Sequence, residues 1–340
     1  MKKRLQAASA RRQLGRVLHP KAIEELRVLH RVETHDIPLA TNSEPLPATA
    51  PAAQSTMSVS IEKYRGSAAC SQQDLLAVEE PLQIRIAYQT GGTRTEKDIS
   101  ITMRTPGHDA ELAAGFLFSE GVLQSSNQIL RIRQSCGIGS KSKDCNRVVL
   151  ELSPEAKFDP QRLERHFYVS SSCGVCGKAS IESLRAHIGS GLLPLHPCLD
   201  SAMIHRLPET LRNFQSVFQK TGGLHAAALL DFSGNLLSVR EDVGRHNAVD
   251  KLIGAEFLRA SLPLHENILL LSGRASFELV QKALMAGIPI IVAVGAPSSL
   301  AVEMALRYKM TLVGFVRGDQ FNVYSGASRF HRTPHQVGLE

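Results

Sequence analysis

Tryptophan is absent from the 340 residues, and aromatic side chains make up only 5% of them. Platforms that stack unpaired bases need such rings, so that class of nucleic-acid binding is not expected. Long apolar runs are missing as well. The longest, IPIIVAV at 288–294, falls far short of the roughly 18 residues of a membrane span and suits a buried strand. Cysteine is sparse. Cys70, Cys136, Cys145, Cys173, Cys176 and Cys198 are too few for a disulfide scaffold of this length, which points to a reducing, cytoplasmic compartment. The opening MKKRL is basic, but no apolar stretch follows it, so a secretory signal is not expected. Neither GxGxxG nor a P-loop occurs, so an ordinary dinucleotide or ATP site is not indicated.

What is present describes a globular protein, with 43% hydrophobic and 21% charged residues. The net charge is +7, and residues 1–56 carry +4 of it. The rest is nearly neutral, which argues against a dedicated nucleic-acid binder with a basic stripe. Residues 1–56 begin basic and end in NSEPLPATAPAAQST, so they read as a disordered basic, Pro/Ala-rich extension.

Residues 57–155 read as a small α+β domain. LQIRIAY (82–88), DISITMR (98–104) and RVVLELS (147–153) are strands. In the second, Ile99, Ile101 and Met103 alternate; in the third, Val148, Leu150 and Leu152 share a face. Between them, Leu112, Ala113, Phe116 and Leu117 have helical spacing, with Gly121 as a stop. Residues 156–206 form a linker that carries SSSCGVCGKASIESL. In 207–326, PETLRNFQSVFQK is a helix with Leu211, Phe214, Val217 and Phe218 on one side. HAAALLD and LLSVRED form a hairpin, and RHNAVDKLIG is a short helix ending at Gly254. NILLLS, FELVQKALMAG, IPIIVAV, SLAVEMALRYK and TLVGFV then give β-α-β-α-β, a buried parallel sheet covered by helices. The fold class is α/β, with residues 327–340 as a tail.

Ligands of an open parallel sheet bind beyond the carboxyl ends of its strands. Three loops leave those ends: SGRAS (272–276), GAPSS (295–299) and RGDQ (317–320). Two of them open helices, whose free N–H groups attract anions. Ser272, Arg274, Ser276, Ser298, Ser299 and Arg317 stand on that rim, and Arg245 and His246 lie at a strand-to-helix corner nearby. Small residues with a few Arg suit a phosphate or pyrophosphate ligand; turn-making and helix capping are the plainer use of the same residues.

Cys173 and Cys176 form C-G-V-C, with Lys178 near and a helix expected to follow. A cation and a helix N-terminus both favour the reactive thiolate. Four readings of the pair stand: half of a zinc site, a redox dithiol, a buried structural pair, or a nucleophilic, sulfur-carrying cysteine. A zinc deaminase is rejected. Its H-x-E would fall on His225-Ala226-Ala227, which lacks the proton-shuttling Glu, and its P-C-x-x-C should follow the His, not precede it.

Taken in order, AVEEPLQIRI, TPGHDAELAAGFLFSEG, the CGVC loop, GLHAAAL, EDVGRHNAVDKLIG, SGRASFELVQKALMAGIPI, APSSLAVEMA and TLVGFVRG resemble the formate dehydrogenase accessory sulfurtransferases, the FdhD/NarQ family, over about 57–326. The resemblance implies a sulfurtransferase that works through a cysteine persulfide. Such proteins take sulfane sulfur from a cysteine desulfurase and pass it to the molybdenum or tungsten bis-pyranopterin guanine dinucleotide cofactor of formate dehydrogenase, their client. The persulfide carrier falls on Cys173 and the secondary cysteine on Cys176. The cofactor-binding stretch falls on Phe315, Val316, Arg317, Gly318, Asp319 and Gln320. His225, Arg245, His246, Ser272 and Arg274 are further pocket candidates. A C-terminal three-layer α/β/α domain of the cytidine deaminase-like kind is implied, with no permanent metal. A homodimer is expected, partly because the ligand carries two like dinucleotides. No nucleic acid or membrane partner is expected. The rival readings are a cofactor chaperone that moves no sulfur and a CxxC thiol oxidoreductase.

Overall fold

The structure is a computed structural model that describes the backbone of residues 33–37 and 135–136, and residues 55–134, 146–156 and 198–330 in full. Most of the expected extension 1–56 and of the tail 327–340 lies outside these residues.

The first part of the chain contributes β1 (Glu33–Ile37), β2 (Thr56–Arg65), β3 (Ala68–Ala77), β4 (Glu80–Thr90), β5 (Thr93–Arg104), α1 (Asp109–Ser119), β6 (Ile129–Cys136) and β7 (Arg147–Leu152). Five of these strands form one sheet in the order β1-β6-β7-β4-β5, in which β4 and β7 are parallel and the other neighbours antiparallel. β1 comes from the stretch read as a disordered extension; its five residues are recruited by the open edge of β6. β2 and β3 make a separate two-stranded ribbon.

The alternation expected in DISITMR breaks in the middle. Ile84 pairs with Ser100 while Arg85 pairs with Asp98, so Ile99 is an extra residue at a bulge. The bulge inverts the phase of β5: Ile99 is buried, whereas Ile101 and Met103 face outward. Val148, Leu150 and Leu152 of β7 are buried together as expected. Gly121, with φ of 72°, follows the end of α1.

The second part contributes α2 (Ser201–Phe214), α3 (Ser216–Thr221), β8 (His225–Asp231), β9 (Leu236–Asp242), α4 (Arg245–Leu258), β10 (Asn267–Leu271), α5 (Phe277–Met285), β11 (Ile290–Ala293), α6 (Ser299–Arg307), β12 (Thr311–Arg317) and β13 (Gln320–Ser325). The sheet order is β13-β12-β11-β10-β8-β9, with β10, β11 and β12 parallel. Strand alternation divides the core. Ala226, Ala228, Leu230, Ile268, Leu270, Ile290 and Val292 pack with Met203, Ile204, Leu207 and Leu211 of α2. Ala227, Leu229, Leu269, Leu271, Ile291 and Ala293 face α4, α5 and α6. Helices therefore cover both faces of this sheet, as the apolar strands require.

Two helices differ from the sequence reading. The expected PETLRNFQSVFQK helix begins earlier, at Ser201, where the Asp200 carboxylate accepts from the Ala202 N–H at 2.9 Å. It then breaks at Gln215, which is not helical. The break turns Phe214 out to solvent, so the expected apolar stripe does not hold. Gly254, expected as a helix stop, lies inside α4; its missing side chain lets α4 cross α1 at Gly115.

The two parts share one apolar core, in which Leu82, Leu117 and Ile132 belong to the same cluster as Leu252, Leu269 and Leu279. Buried polar bonds reinforce the join. Glu111 of α1 accepts two hydrogen bonds from Arg240 of β9, at 2.5 and 2.8 Å. Burial raises the pKa of that carboxyl, but Arg240 and His108 outweigh it and hold it at about 2. Lys251 of α4 meets Asp242 at 2.7 Å and donates to the Thr105 carbonyl at 2.8 Å. Asn247 donates to the Met103 carbonyl at 2.7 Å.

Candidate functional site

The first two rim loops are zipped to each other. Gly295 donates to the Gly273 carbonyl at 3.0 Å, Ala275 to Ala296 at 3.2 Å and Ser298 to Ala275 at 3.0 Å. These bonds continue the parallel pairing of β10 and β11 beyond the strand ends. The approach depends on Gly295, where a Cβ would fall 2.9 Å from the Arg274 nitrogen. The loops 272–276 and 295–299 thus form one ledge, as the sequence reading expects.

The third loop is placed differently. β12 runs on past Val313, its last pairing with β11, and turns at Gly318 and Asp319 into β13. Arg317, Gly318, Asp319 and Gln320 are therefore the exposed end of a hairpin that projects beyond the ledge. At the root of this hairpin the register slips. Phe315 adopts φ of 55°, a left-handed conformation that is costly for a bulky side chain. Its N–H reaches the Gly295 carbonyl at 3.1 Å, its ring is turned outward, and Val316 is fully buried instead. Of the six residues expected to bind cofactor, then, Val316 is core, Phe315 is held in a strained turn against the ledge, and the other four sit on the tip.

On the α2 side the ledge opens into a cleft of about 310 Å³. Leu211, Arg212, Gln215, Phe218, Leu224, His225, Ser272 and Val294 are among the residues that line it. Because β8 runs antiparallel to β10, its first residue, His225, lies at the same sheet end as Ser272. Ser272 is bound to β8 in both directions: its hydroxyl accepts from the Ala226 N–H at 2.8 Å, and its N–H donates to the Ala226 carbonyl at 3.0 Å. The His225 ring lies over Gly273, where a Cβ would come within 3.2 Å of Nδ1.

The electrostatics of this corner are cationic. Burial, then Arg245 and Arg274, lower the His225 pKa against a smaller opposite pull from Asp242. Burial, then Arg245 and Lys282, lower His246 to about 4, so its ring is neutral at pH 7. His246 Nε2 lies 3.2 Å from the Ser276 hydroxyl. The Arg245 Nε is buried with no hydrogen-bond partner. α5 follows Ser276, and its first turn carries Glu278, whose carboxylate lies 3.7 Å from His246 Nε2; burial raises its pKa, but its own backbone N–H, the Ser276 hydroxyl, His246 and Arg245 outweigh that and lower it. The Arg245 and Arg274 guanidinium groups beside the His225 ring can hold an anion, whereas the Glu278 carboxylate next to His246 opposes one there.

Cys173 and Cys176 lie outside the described residues, and so does Lys178. Among the described residues the free cysteines are Cys70 and Cys198, both exposed, and neither lines the cleft. The cleft wall from α2 and α3 escaped the sequence reading. Arg212, Gln215 and Phe218 carry no motif, and only the break at Gln215 brings them to the sheet end.

The FdhD/NarQ family model matches residues 77–331. Among curated proteins, the sulfur carrier protein FdhD of Streptomyces coelicolor is 48% identical over 269 residues, which cover 78% of this chain and 93% of that protein. Its namesake from Mycobacterium tuberculosis is 47% identical over 265 residues, covering 76% and 92%. The one from Sulfolobus acidocaldarius is 44% identical over 271 residues, covering 80% and 97%. Among solved structures, a formate dehydrogenase accessory protein from Desulfotalea psychrophila superposes with a TM-score of 0.60 at 25% identity, over 81% of this chain and 99% of that one.

Proposed function

This chain belongs to the FdhD/NarQ family, and from that premise we propose that it is a sulfur carrier that serves the maturation of formate dehydrogenase. Cys173 is the carrier. Its thiolate attacks the outer sulfur of a persulfide on a cysteine desulfurase; the S–S bond to the donor breaks, and the donor cysteine leaves as thiolate. The S–S bond on Cys173 then breaks, Cys173 returns to thiolate, and the sulfur passes to the molybdenum or tungsten bis-pyranopterin guanine dinucleotide bound as a substrate, with the two electrons that reduce it supplied by the metal or a thiol reductant. Cys176 has the secondary role.

The observation that carries the cofactor half of this reading is that His225, which lines the cleft, lies near enough to Arg245 and Arg274 for them to lower its pKa. A pyrophosphate complements the charge of Arg245 and Arg274, and the cleft lined by His225 has room for part of a nucleotide. A cytoplasmic location and a homodimer that offers one site to each guanine dinucleotide belong to the same proposal.

The test is mass spectrometry after incubation with a cysteine desulfurase and cysteine. The peptide containing residues 173–176 should gain about 32 Da, one sulfur, and lose it on reduction. Cys173→Ala should abolish the gain and leave guanine nucleotide binding intact. Normal formate dehydrogenase activity in cells that hold only Cys173→Ala would favour a chaperone that moves no sulfur and would end this reading.

A further inference from the structure

Two polar side chains of the cleft wall are left over by the fold. Gln215, where α2 breaks, lines the cleft. It is only 5% exposed, yet its side-chain amide forms no hydrogen bond among the described residues. Buried amides are nearly always satisfied, so one left open at a cleft wall points to a partner within the cleft. Arg212, in the last turn of α2, lines the same cleft and is exposed. Its guanidinium forms neither an ion pair nor a hydrogen bond among the described residues.

The wall that presents these two groups is held in place. The Gln219 side chain donates to the Arg212 carbonyl at 2.8 Å and so ties the two sides of the break together. The Glu241 carboxylate reaches across from β9 and accepts from the N–H groups of Val217 at 3.0 Å and Phe218 at 2.9 Å. These bonds pin α3 against the sheet, with Phe218 half-buried at the cleft. Leu211, Leu224 and Val294 make the rest of the lining largely apolar. An apolar slot with one aromatic ring and a few polar groups suits a flat heterocycle, which presents apolar faces and a polar edge.

We infer that this cleft takes the guanine base of the dinucleotide, and that Arg212 and Gln215 select it over adenine. The inference rests on the cofactor reading above and adds to it the residues that recognise the base. Hydrogen-bond complementarity makes the choice. A guanidinium carries donors only. Guanine offers it two adjacent acceptors, O6 and N7, whereas adenine sets an amino donor beside its N7. The Gln215 amide oxygen accepts from the guanine N1–H, at a position where adenine has a bare acceptor nitrogen. An amide can turn round to serve adenine, and a guanidinium cannot, so Arg212 carries the larger share of the discrimination. The Phe218 ring lies against a face of the base, and the pyrophosphate extends towards Arg245 and Arg274.

Calorimetric titration of the full chain with guanosine and adenosine diphosphates tests this, with inorganic pyrophosphate as the control and circular dichroism to check folding. The wild type should prefer guanosine diphosphate by about tenfold or more, because the wrong base leaves polar groups unpaired. Arg212→Leu should remove most of that preference. Gln215→Leu should weaken guanosine diphosphate binding by about tenfold. Gln215→Glu should keep the preference or sharpen it, because a carboxylate accepts from N1–H and has nothing to donate to adenine. Pyrophosphate affinity should stay within about threefold of wild type in all three variants. The 7-deaza analogue of guanosine diphosphate, with C–H in place of N7, should bind the wild type less well than the parent, and Arg212→Leu should erase that difference. Equal binding of the two diphosphates by the wild type overturns the inference and leaves the cofactor reading standing. A preference that survives both leucine variants, or a loss of pyrophosphate binding as large as that of the nucleotide, overturns it as well. No binding of guanosine diphosphate at all ends the cofactor half of the reading too, while sulfur loading at Cys173 is read separately.

Discussion

Gly115 of α1 and Gly254 of α4 face each other where the two helices cross. A Cβ on Gly115 would fall 1.9 Å from the Asp250 carbonyl oxygen, and one on Gly254 would fall 1.8 Å from that of Glu111. The obstacle in each case is backbone, which cannot rotate away. This close crossing of the first and second parts of the chain therefore exists only because two side chains are missing.

Gly254→Ala should destabilise the protein. Alanine is favoured over glycine inside a helix by about 1 kcal/mol, but a methyl forced against backbone at this crossing costs more, about 3 kcal/mol. The net loss is about 2 kcal/mol, and Gly115→Ala should behave alike. The double variant should cost less than the sum, since the first substitution already parts the helices. Urea denaturation measures all three.

Lys251→Met should be worse. It leaves the fully buried Asp242 carboxylate without its ammonium partner, 2.7 Å away, and strands the Thr105 carbonyl. Losing one member of a buried pair costs about 3–5 kcal/mol. The same urea experiment should show the midpoint falling by more than in Gly254→Ala.

Acid should release the join between the two parts. Glu111 titrates at about 2 when folded and near 4.3 when unfolded. Its contribution is complete above the unfolded value and disappears as pH falls through the folded one. It amounts to about 3 kcal/mol. His246, held at about 4, acts in the same direction over a higher window, because the unfolded chain takes up its proton first, near 6.5. Stability measured from pH 7 down to pH 3 should fall in both windows. Glu111→Gln should flatten the lower one.

Anion binding at the cationic corner should be visible on His225. A pyrophosphate beside Arg245 and Arg274 offsets the charges that help to depress this ring, so its titration midpoint, followed by NMR, should rise when guanosine diphosphate is added. Arg274→Ala should weaken that binding about tenfold, the loss expected of one charged hydrogen bond. Arg317→Ala should cost less, because Arg317 sits out on the hairpin tip. An unmoved His225 signal at saturating nucleotide would place the ligand elsewhere.

Part of this site was legible from residue order alone. The apolar runs NILLL, IIVA and TLV, the first two each followed by a small-residue loop and a helix, fix parallel strands and hence the end at which loops gather. Ser272, Arg274 and the corner residues Arg245 and His246 could be placed from that rule. The cleft wall could not. Arg212 and Phe218 reach it through the break at Gln215, which leaves no pattern in the sequence. The placement of β5 was equally hidden, since Ile99, Ile101 and Met103 alternate perfectly and only pairing with β4 shows that one residue is skipped.

Local patterns thus settled which segments are strands and helices, and which end of the second sheet collects polar loops, because burial and turn chemistry act over a few neighbouring residues. Assembly decided the rest. Whether Gly254 ends a helix or lets two helices touch, whether Phe315 or Val316 enters the core, and how far the RGDQ turn stands from the ledge all depend on partners distant in the chain. Those partners are chosen by packing in three dimensions, about which neighbouring residues carry no information.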